Sequence, residues 1–276
     1  MPGEIDRRSP EENAALKQLY GAKHPSEEHA DAEAAFNRER EKRLRAEGFQ
    51  GEYKPQRDVR HEFEFDEQHD AQGRRTQTIA RSKEGCPLRR PEEVINWRHT
   101  QVGKDADDKA RSAYHGSGDD AGHLISPEFG ADPGDRRNLS HQNFVANQYG
   151  EFKKWENDCK STVANQKEPH EIEVRVRYKP EGNREREVAR DMHLYRRDEH
   201  NQRQPVTNDK VVFFNPKNDA VRAAEAGQKP ERGSTRRHAK EVGTAVDSMT
   251  PEERRAYAKN IGLRAVDNGP SKGKQK

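Results

Sequence analysis

The chain has 276 residues, with 52 Lys+Arg against 50 Asp+Glu, a net charge of +2, and only 2 Cys. Hydrophobic residues make up 29% and charged residues 37%, where an ordinary globular domain has roughly 45–50% and 25%. These figures exclude one compact apolar core running through the whole chain, Cys86 and Cys159 are too few for a disulfide scaffold, and no run approaches the roughly 18 apolar residues of a membrane span.

The length allows one or two domains. The start, MPGEIDRRSPEEN, has no apolar stretch of the kind a secretory signal needs. The expectation is a protein made in the cytoplasm and exported, where it is exported, by a specialised route that cleaves no signal peptide. Residues 1–58 hold 11 basic and 13 acidic side chains. Ser9-Pro10-Glu11-Glu12 is a capping box with proline at the first helical position. It predicts a short helix through Leu16, Leu19 and Tyr20, closed by Gly21. Ser26 caps a second, longer helix that ends near Gly48. Its apolar stripe is alanine plus Phe36 and Leu44, so thin that a solvated arm is the expectation.

From residue 59 the period changes. Val59, Phe63 and Phe65, a turn at Gly73, and Thr76, Thr78 and Ala80 read as a β-hairpin. Residues 82–118 read as loop, apart from a turn of helix at 91–98 around Trp97. A helix is expected from Asn147, with Phe152 and Trp155 on one side. Ile172, Val174, Val176 and Tyr178 alternate with charged residues and form the clearest strand. Pro180-Glu181-Gly182-Asn183 is a turn, a second strand runs from Val188 to Leu194, and Val211–Phe214 is a third. Residues 217–276 carry 14 basic against 8 acidic residues. They read as a basic tail, with one short helix from the cap at Thr250 to Gly262.

The stretch 119–158 offers chemistry. His123 follows Asp120-Ala121-Gly122 and is anchored by Leu124 and Ile125. Asn138 comes 15 residues on, Asn147 another 9, and Glu156 another 9. Asn147 and Glu156 are read as approaching a shared site from one helix face. The set suits phosphodiester hydrolysis. A neutral imidazole can activate water at pH 7. A divalent metal supplies positive charge to the pentacoordinate phosphate and to the leaving oxygen. One Asn carbonyl plus waters is a plausible holder for Mg²⁺, a nearby Glu can orient those waters, and Arg136 and Arg137 can hold a phosphate oxygen.

These residues resemble the DNA/RNA non-specific endonucleases of the ββα-metal (His-Me finger) group, above all the branch of type VII secretion EssD-like nuclease toxins. That family's pattern runs D-R-G-H, N-x-x-P-Q and N-x-G-x-W-x-x-x-E. The chain has Asp120-Ala121-Gly122-His123, then Asn138-Leu139-Ser140-His141-Gln142, then Asn147-Gln148-Tyr149-Gly150 followed by Phe152 and Glu156. The resemblance implies His123 as general base, Asn147 as ligand of Mg²⁺ (or Mn²⁺), Glu156 as the acid that helps hold the hydrated metal, and Asn138 as an accessory residue. It also implies products with 5′-phosphate ends. Ala121 stands where many members carry Arg, His141 replaces the usual Pro, and one extra residue separates Asn147 from Glu156. Arg136, Arg137 or Arg111 are the candidates to replace the missing guanidinium.

The expectation is an α+β fold, a mainly antiparallel sheet around a ββα-metal core. Residues 59–216 form the nuclease-like domain between a charged helical arm at 1–58 and the basic tail. The expected function is Mg²⁺-dependent, sequence-non-specific hydrolysis of DNA or RNA by an exported toxin with an immunity partner. The alternative is a catalytically silent nucleic-acid- or protein-binding module on the same fold.

Overall fold

The computed structural model describes residues 8–114, 120–142, 147, 151–165, 168–181, 184–206 and 211–214. The basic tail and its expected helix lie outside these residues.

Helix α1 (Pro10–Gly21) starts where the Ser9 hydroxyl accepts the Glu12 amide at 3.1 Å. The Glu12 carboxylate does more than a capping box asks: it takes the Arg43 guanidinium at 2.7 Å, which ties α1 to α2 (Glu27–Ala46). The Ser26 hydroxyl caps α2 by accepting the His29 amide at 3.1 Å. Gly48 leaves the helix at φ +94°, a backbone conformation open to glycine. The expected solvated arm is corrected here. Leu16 and Leu19 of α1 and Ala32 and Phe36 of α2 form one buried cluster with Ile95 and Trp97. A stripe as thin as Ala32 and Phe36 suffices because the Trp97 indole, far away in the chain, covers it, a contact no local window reveals.

Next come β1 (Phe63–His69) and β2 (Arg75–Ser82), the expected hairpin, with Gly73 at φ +76° in its turn. Two short 3₁₀ turns, Pro91–Glu93 and Trp97–His99, precede α3 (Gln101–Arg111), a helix inside the segment expected to be loop. The Thr100 hydroxyl caps α3 by accepting the Gly103 amide at 3.0 Å. Its sequence, QVGKDADDKAR, has one Gly and three Asp, poor helix formers, and it holds its form by packing Ala110 on Tyr114, Ala121 and Leu139.

A separate two-stranded unit follows, β3 (Asp120–His123) and β4 (Leu139–Gln142). Then come α4 (Glu151–Asn165), β5 (His170–Glu181), β6 (Arg184–Arg197), β7 (Arg203–Pro205) and β8 (Val211–Phe214). The main sheet is antiparallel throughout, in the order β1-β2-β5-β6-β7, with β8 also on β6. The fold is thus α+β. On β5, Ile172, Val174, Val176 and Tyr178 all face the core. They pack with Phe152, Cys159 and Val163 of α4 and with Leu124, Ile125 and Phe129 of the β3–β4 loop. Both cysteines are free thiols. No helix among the described residues is long and apolar enough to cross a membrane.

If the N-terminal helices belong to the folded unit, Phe36→Ala removes a side chain that is 2% exposed. It should lower the free energy of unfolding by about 3–5 kcal/mol, read by urea denaturation followed by circular dichroism. A free arm would leave the transition where it was.

Candidate active site

His123 ends β3, paired in register with Leu139; Gly122 pairs with Ser140, Ala121 with His141 and Asp120 with Gln142. One face of this hairpin, Ala121 and Leu139, packs on Ala110 and Tyr114, and the His141 ring lies 4.5 Å from that of Tyr114. The other face meets β6 through Ser140, whose hydroxyl donates to Glu187. A Cβ at Gly122 would come within 2.1 Å of the end of the Gln142 side chain, which would have to turn aside.

Two strands of four residues are not stable alone. Three arginines hold them. Arg75 of β2 donates to the Leu139 carbonyl at 3.0 Å, and Arg190 of β6 reaches the His123 carbonyl at 3.5 Å, so the two members of one register pair are each held by a guanidinium. Arg111 of α3 donates to the carbonyl of Ala121. Arg190 is fully buried. Its Nε and Nη2 each bind Glu187 at 2.6 Å, and its guanidinium lies 4.3 Å over the Phe152 ring of α4. One side chain therefore joins sheet, hairpin and helix.

The His123 side chain is 5% exposed. Its Nδ1 lies 3.3 Å from Arg111 Nη2 and its Nε2 lies 3.3 Å from the Pro133 carbonyl. A guanidinium can only donate, so Nδ1 is the acceptor and Nε2 carries the proton. Asp107, one turn before Arg111 on α3, binds the Arg111 Nε and stands 3.6 Å from His123 Nε2. Burial first, then the Arg111 charge, push the His123 pKa down to about 3. The ring is neutral at physiological pH.

The other expected residues are placed as follows. Asn138 is buried: its Oδ1 accepts the Ile125 amide at 2.8 Å, and its Nδ2 donates to the Ile125 carbonyl at 2.9 Å and to the Asp132 carbonyl at 3.4 Å. It shapes the β3–β4 loop and does not touch the His123 ring. Arg136 is exposed on a cleft of about 370 Å³ shared with Arg75, Tyr114 and His141. Arg137 opens onto the same cleft, but it binds Asp135 at 2.7 Å and lies 5.3 Å over Phe65. Asn147 is helical and half-buried.

Glu156, on α4, pairs with Lys153 at 3.3 Å. Burial raises its pKa although Lys153 and Arg190 oppose the shift. The expected sharing of one helix face by Asn147 and Glu156 runs through residues 148–150, which lie outside the described residues. The His123 ring faces α3, while Glu156 lies with Lys153 and within the field of Arg190. Glu128, in the loop after His123, binds Lys160 and lies 3.9 Å from Lys153, so that loop and α4 are clamped together.

Two features escape a motif search. The Asp107–Arg111 pair is signalled by helical i,i+4 spacing inside a segment that does not read as helix. Arg190 is signalled by standing in phase with Met192 and Leu194, opposite Val176, where alternation calls for an apolar residue.

Arg190→Met removes the buried guanidinium that binds both oxygens of Glu187 and should cost about 3–5 kcal/mol of stability, measured by urea unfolding. The His123 shift predicts the acid side of the stability curve. The unfolded ring takes a proton near its ordinary pKa of 6.5, and the folded ring refuses it down to about 3. Between these values the unfolded state binds more protons, so stability falls as pH drops. His123→Asn should flatten the decline between pH 6 and 4 by up to about 1.4 kcal/mol per pH unit; an unchanged slope would show that this ring titrates normally in the native state.

Residues 66–199 match the family of DNA/RNA non-specific endonucleases. No curated protein matches the chain. Among solved structures, an extracellular endonuclease aligns at 15% identity over 56% of this chain and 79% of its own, with a TM-score of 0.33. An extracellular nuclease aligns at 15% identity over 57% and 86%, with a TM-score of 0.31. Residues 66–199, a little under half of the chain, thus resemble the DNA/RNA non-specific endonuclease family, which marks the chain as a nuclease.

Proposed function

We propose that this nuclease is a divalent-metal-dependent enzyme that hydrolyses DNA or RNA phosphodiesters without sequence preference, with His123 as its general base. The observation that carries the reading is the neutral imidazole whose Nδ1 lone pair faces a guanidinium, at the point of the chain where the family places its histidine. Arg111 is then the group that compensates for Ala121. A phosphate oxygen is a stronger acceptor than imidazole, so bound substrate draws Arg111 off Nδ1 and leaves that lone pair to water. Nδ1 takes the water proton as the water oxygen attacks phosphorus. The P–O3′ bond breaks, solvent protonates the departing 3′ oxygen, and the 5′-phosphate remains on the other product. Asp107, 3.6 Å from Nε2, steadies the imidazolium that results.

The donors on α4 and just before it suit a hard cation. Asn147 offers an amide oxygen, and Glu156 offers a carboxylate whose charge Lys153 and Arg190 leave incompletely balanced against burial. Oxygen ligands of this kind suit Mg²⁺ or Mn²⁺. When bound, such an ion supplies positive charge to the phosphorane and the leaving oxygen. Arg136 and Arg137 contact the substrate backbone from the cleft, and residues 59–216 form the nuclease unit. An enzyme with this activity endangers the cell that makes it. We therefore place it as an exported toxin or effector of the type VII branch that its motif resembles, held in check by an immunity protein until export.

Purified chain incubated with supercoiled plasmid, or with ribosomal RNA, should degrade it with Mg²⁺ or Mn²⁺ and leave it intact with EDTA. His123→Ala should slow cleavage by about 10²–10⁴-fold, and Arg111→Ala should slow it more than Arg136→Ala or Arg137→Ala does. Wild-type cleavage by His123→Ala would remove the base assignment. Intact nucleic acid under every metal would turn the reading to a silent binding module.

A further inference from the structure

A second cluster of ligand-type side chains lies away from the His123 hairpin. His24 sits in the loop between α1 and α2, His29 in the first turn of α2, and Asp58 in the segment that leads to β1. The Asp58 Oδ2 is 3.1 Å from His24 Nε2 and 3.2 Å from His29 Nε2. One donor atom from each residue fits within 4.8 Å of the others. Zinc binds imidazole nitrogen at about 2.0–2.1 Å and carboxylate oxygen at about 2.0–2.2 Å, which separates neighbouring ligand atoms of a tetrahedron by roughly 3.3 Å. The two nitrogen–oxygen distances have that spacing.

The direction of the His24 ring adds a second observation. Its Nε2 is buried and close to Asp58, yet it makes no aligned hydrogen bond, and its Nδ1 makes none either. The carboxylate itself is held rigidly from behind: Asp58 Oδ1 accepts Trp97 Nε1 at 3.1 Å and Arg60 Nε at 2.9 Å. Outer partners of this kind orient a metal-binding carboxylate. Arg60 Nη2 also reaches Oδ2 at 2.7 Å, and His29 Nε2 shares that oxygen at 3.2 Å, at the position a bound ion would take over. The charge of Arg60 is shared with Asp132, 3.7 Å away, which lessens its repulsion of a cation.

We propose that His24, His29 and Asp58 bind a zinc-class divalent ion, at a site separate from the nuclease metal, that pins the N-terminal helices to the body of the enzyme. Two imidazoles and one carboxylate select a borderline transition ion and not Mg²⁺ or Ca²⁺, which take oxygen ligands. The fourth position is left to solvent, since the His61 ring stacks on His24 at 4.6 Å and 19° and so turns its face, not its nitrogens, toward that ring.

The full chain, stripped of metal with a chelator and titrated with Co²⁺, should develop the visible absorption of tetrahedral cobalt and saturate at about one equivalent. Zn²⁺ should displace it and raise the melting temperature. Asn147→Ala should keep that absorption, which separates this site from the nuclease metal. His24→Gln with His29→Gln should abolish it, and His24→Gln alone, a change in a loop, should weaken binding roughly tenfold or more, which covers the case of a double variant that does not fold. Equal uptake by wild type and His24→Gln, or no uptake by wild type from micromolar Zn²⁺ or Co²⁺, would overturn the site and leave the nuclease reading untouched.

Discussion

The grip of three arginines on a hairpin too short to stand alone is the constraint on which the rest of the structure depends. β3 and β4 are outside the main sheet, so their outward carbonyls have no neighbouring strand to bond. Arg75 takes the Leu139 carbonyl, Arg190 that of His123 and Arg111 that of Ala121. Arginine, with its planar fork of five donors, binds a carboxylate and a backbone oxygen together in a fixed geometry. Each of the three has such a carboxylate: Glu185 for Arg75, Asp107 for Arg111 and Glu187 for Arg190. The carboxylates answer the penalty of burying the cations. The carbonyls, held from β2, β6 and α3, fix the position of the hairpin relative to sheet and helix.

This arrangement also accounts for the composition. A chain with 37% charged residues and 29% hydrophobic ones is expected to keep its charges in water and its core small. Here part of the charge is internal. Glu12, Asp58, Glu171 and Glu187 are each no more than 2% exposed, and each meets arginine: Arg43, Arg60, the pair Arg197 and Arg203, and Arg190. Glu171 holds both its arginines at 2.6 Å, which ties β5 to β6 and β7. Ion pairs whose carboxylate is buried this completely add little net stability over apolar packing, but losing the arginine is costly. They therefore fix which elements meet more than they deepen the native state.

Legibility in the sequence followed the range of the interactions. Where a local rule decides, the sequence reads well: the serine caps of α1 and α2, the turn at Gly73 and the strict alternation from Ile172 to Tyr178 all appear as expected. Where a distant partner decides, it does not. α3 has poor intrinsic helicity and is held by Tyr114, Ala121 and Leu139; α2 looks like an arm until Trp97 covers it. The site divides in the same way. His123 stands out because Gly122, Leu124 and Ile125 surround it with a motif. Arg111 and Asp107 lie in a segment whose helix was invisible, so their shared face was invisible too. Arg190 was legible in principle, as one charge in an apolar row, but an isolated exception to alternation carries no chemistry until Glu187 and the hairpin are seen beside it.

The N-terminal layer bears on the His123 ring through Asp132, in the loop between β3 and β4. Asp132 accepts the Tyr20 hydroxyl of α1 at 2.7 Å and faces Arg60 at 3.7 Å. The same carboxylate accepts the Gly134 amide at 2.8 Å, and the Asp132 carbonyl accepts from Asn138. Between them lies Pro133, whose carbonyl receives the Nε2 proton of His123. That bond sets the tautomer, because the proton on Nε2 is what leaves Nδ1 with a lone pair. Arg60 is held in turn by Asp58, the carboxylate shared with His24, His29 and Trp97. The helices that read as an appended arm thus stand two contacts from the imidazole, and whatever fixes Asp58 in place also fixes the turn that decides which nitrogen of His123 is free to accept.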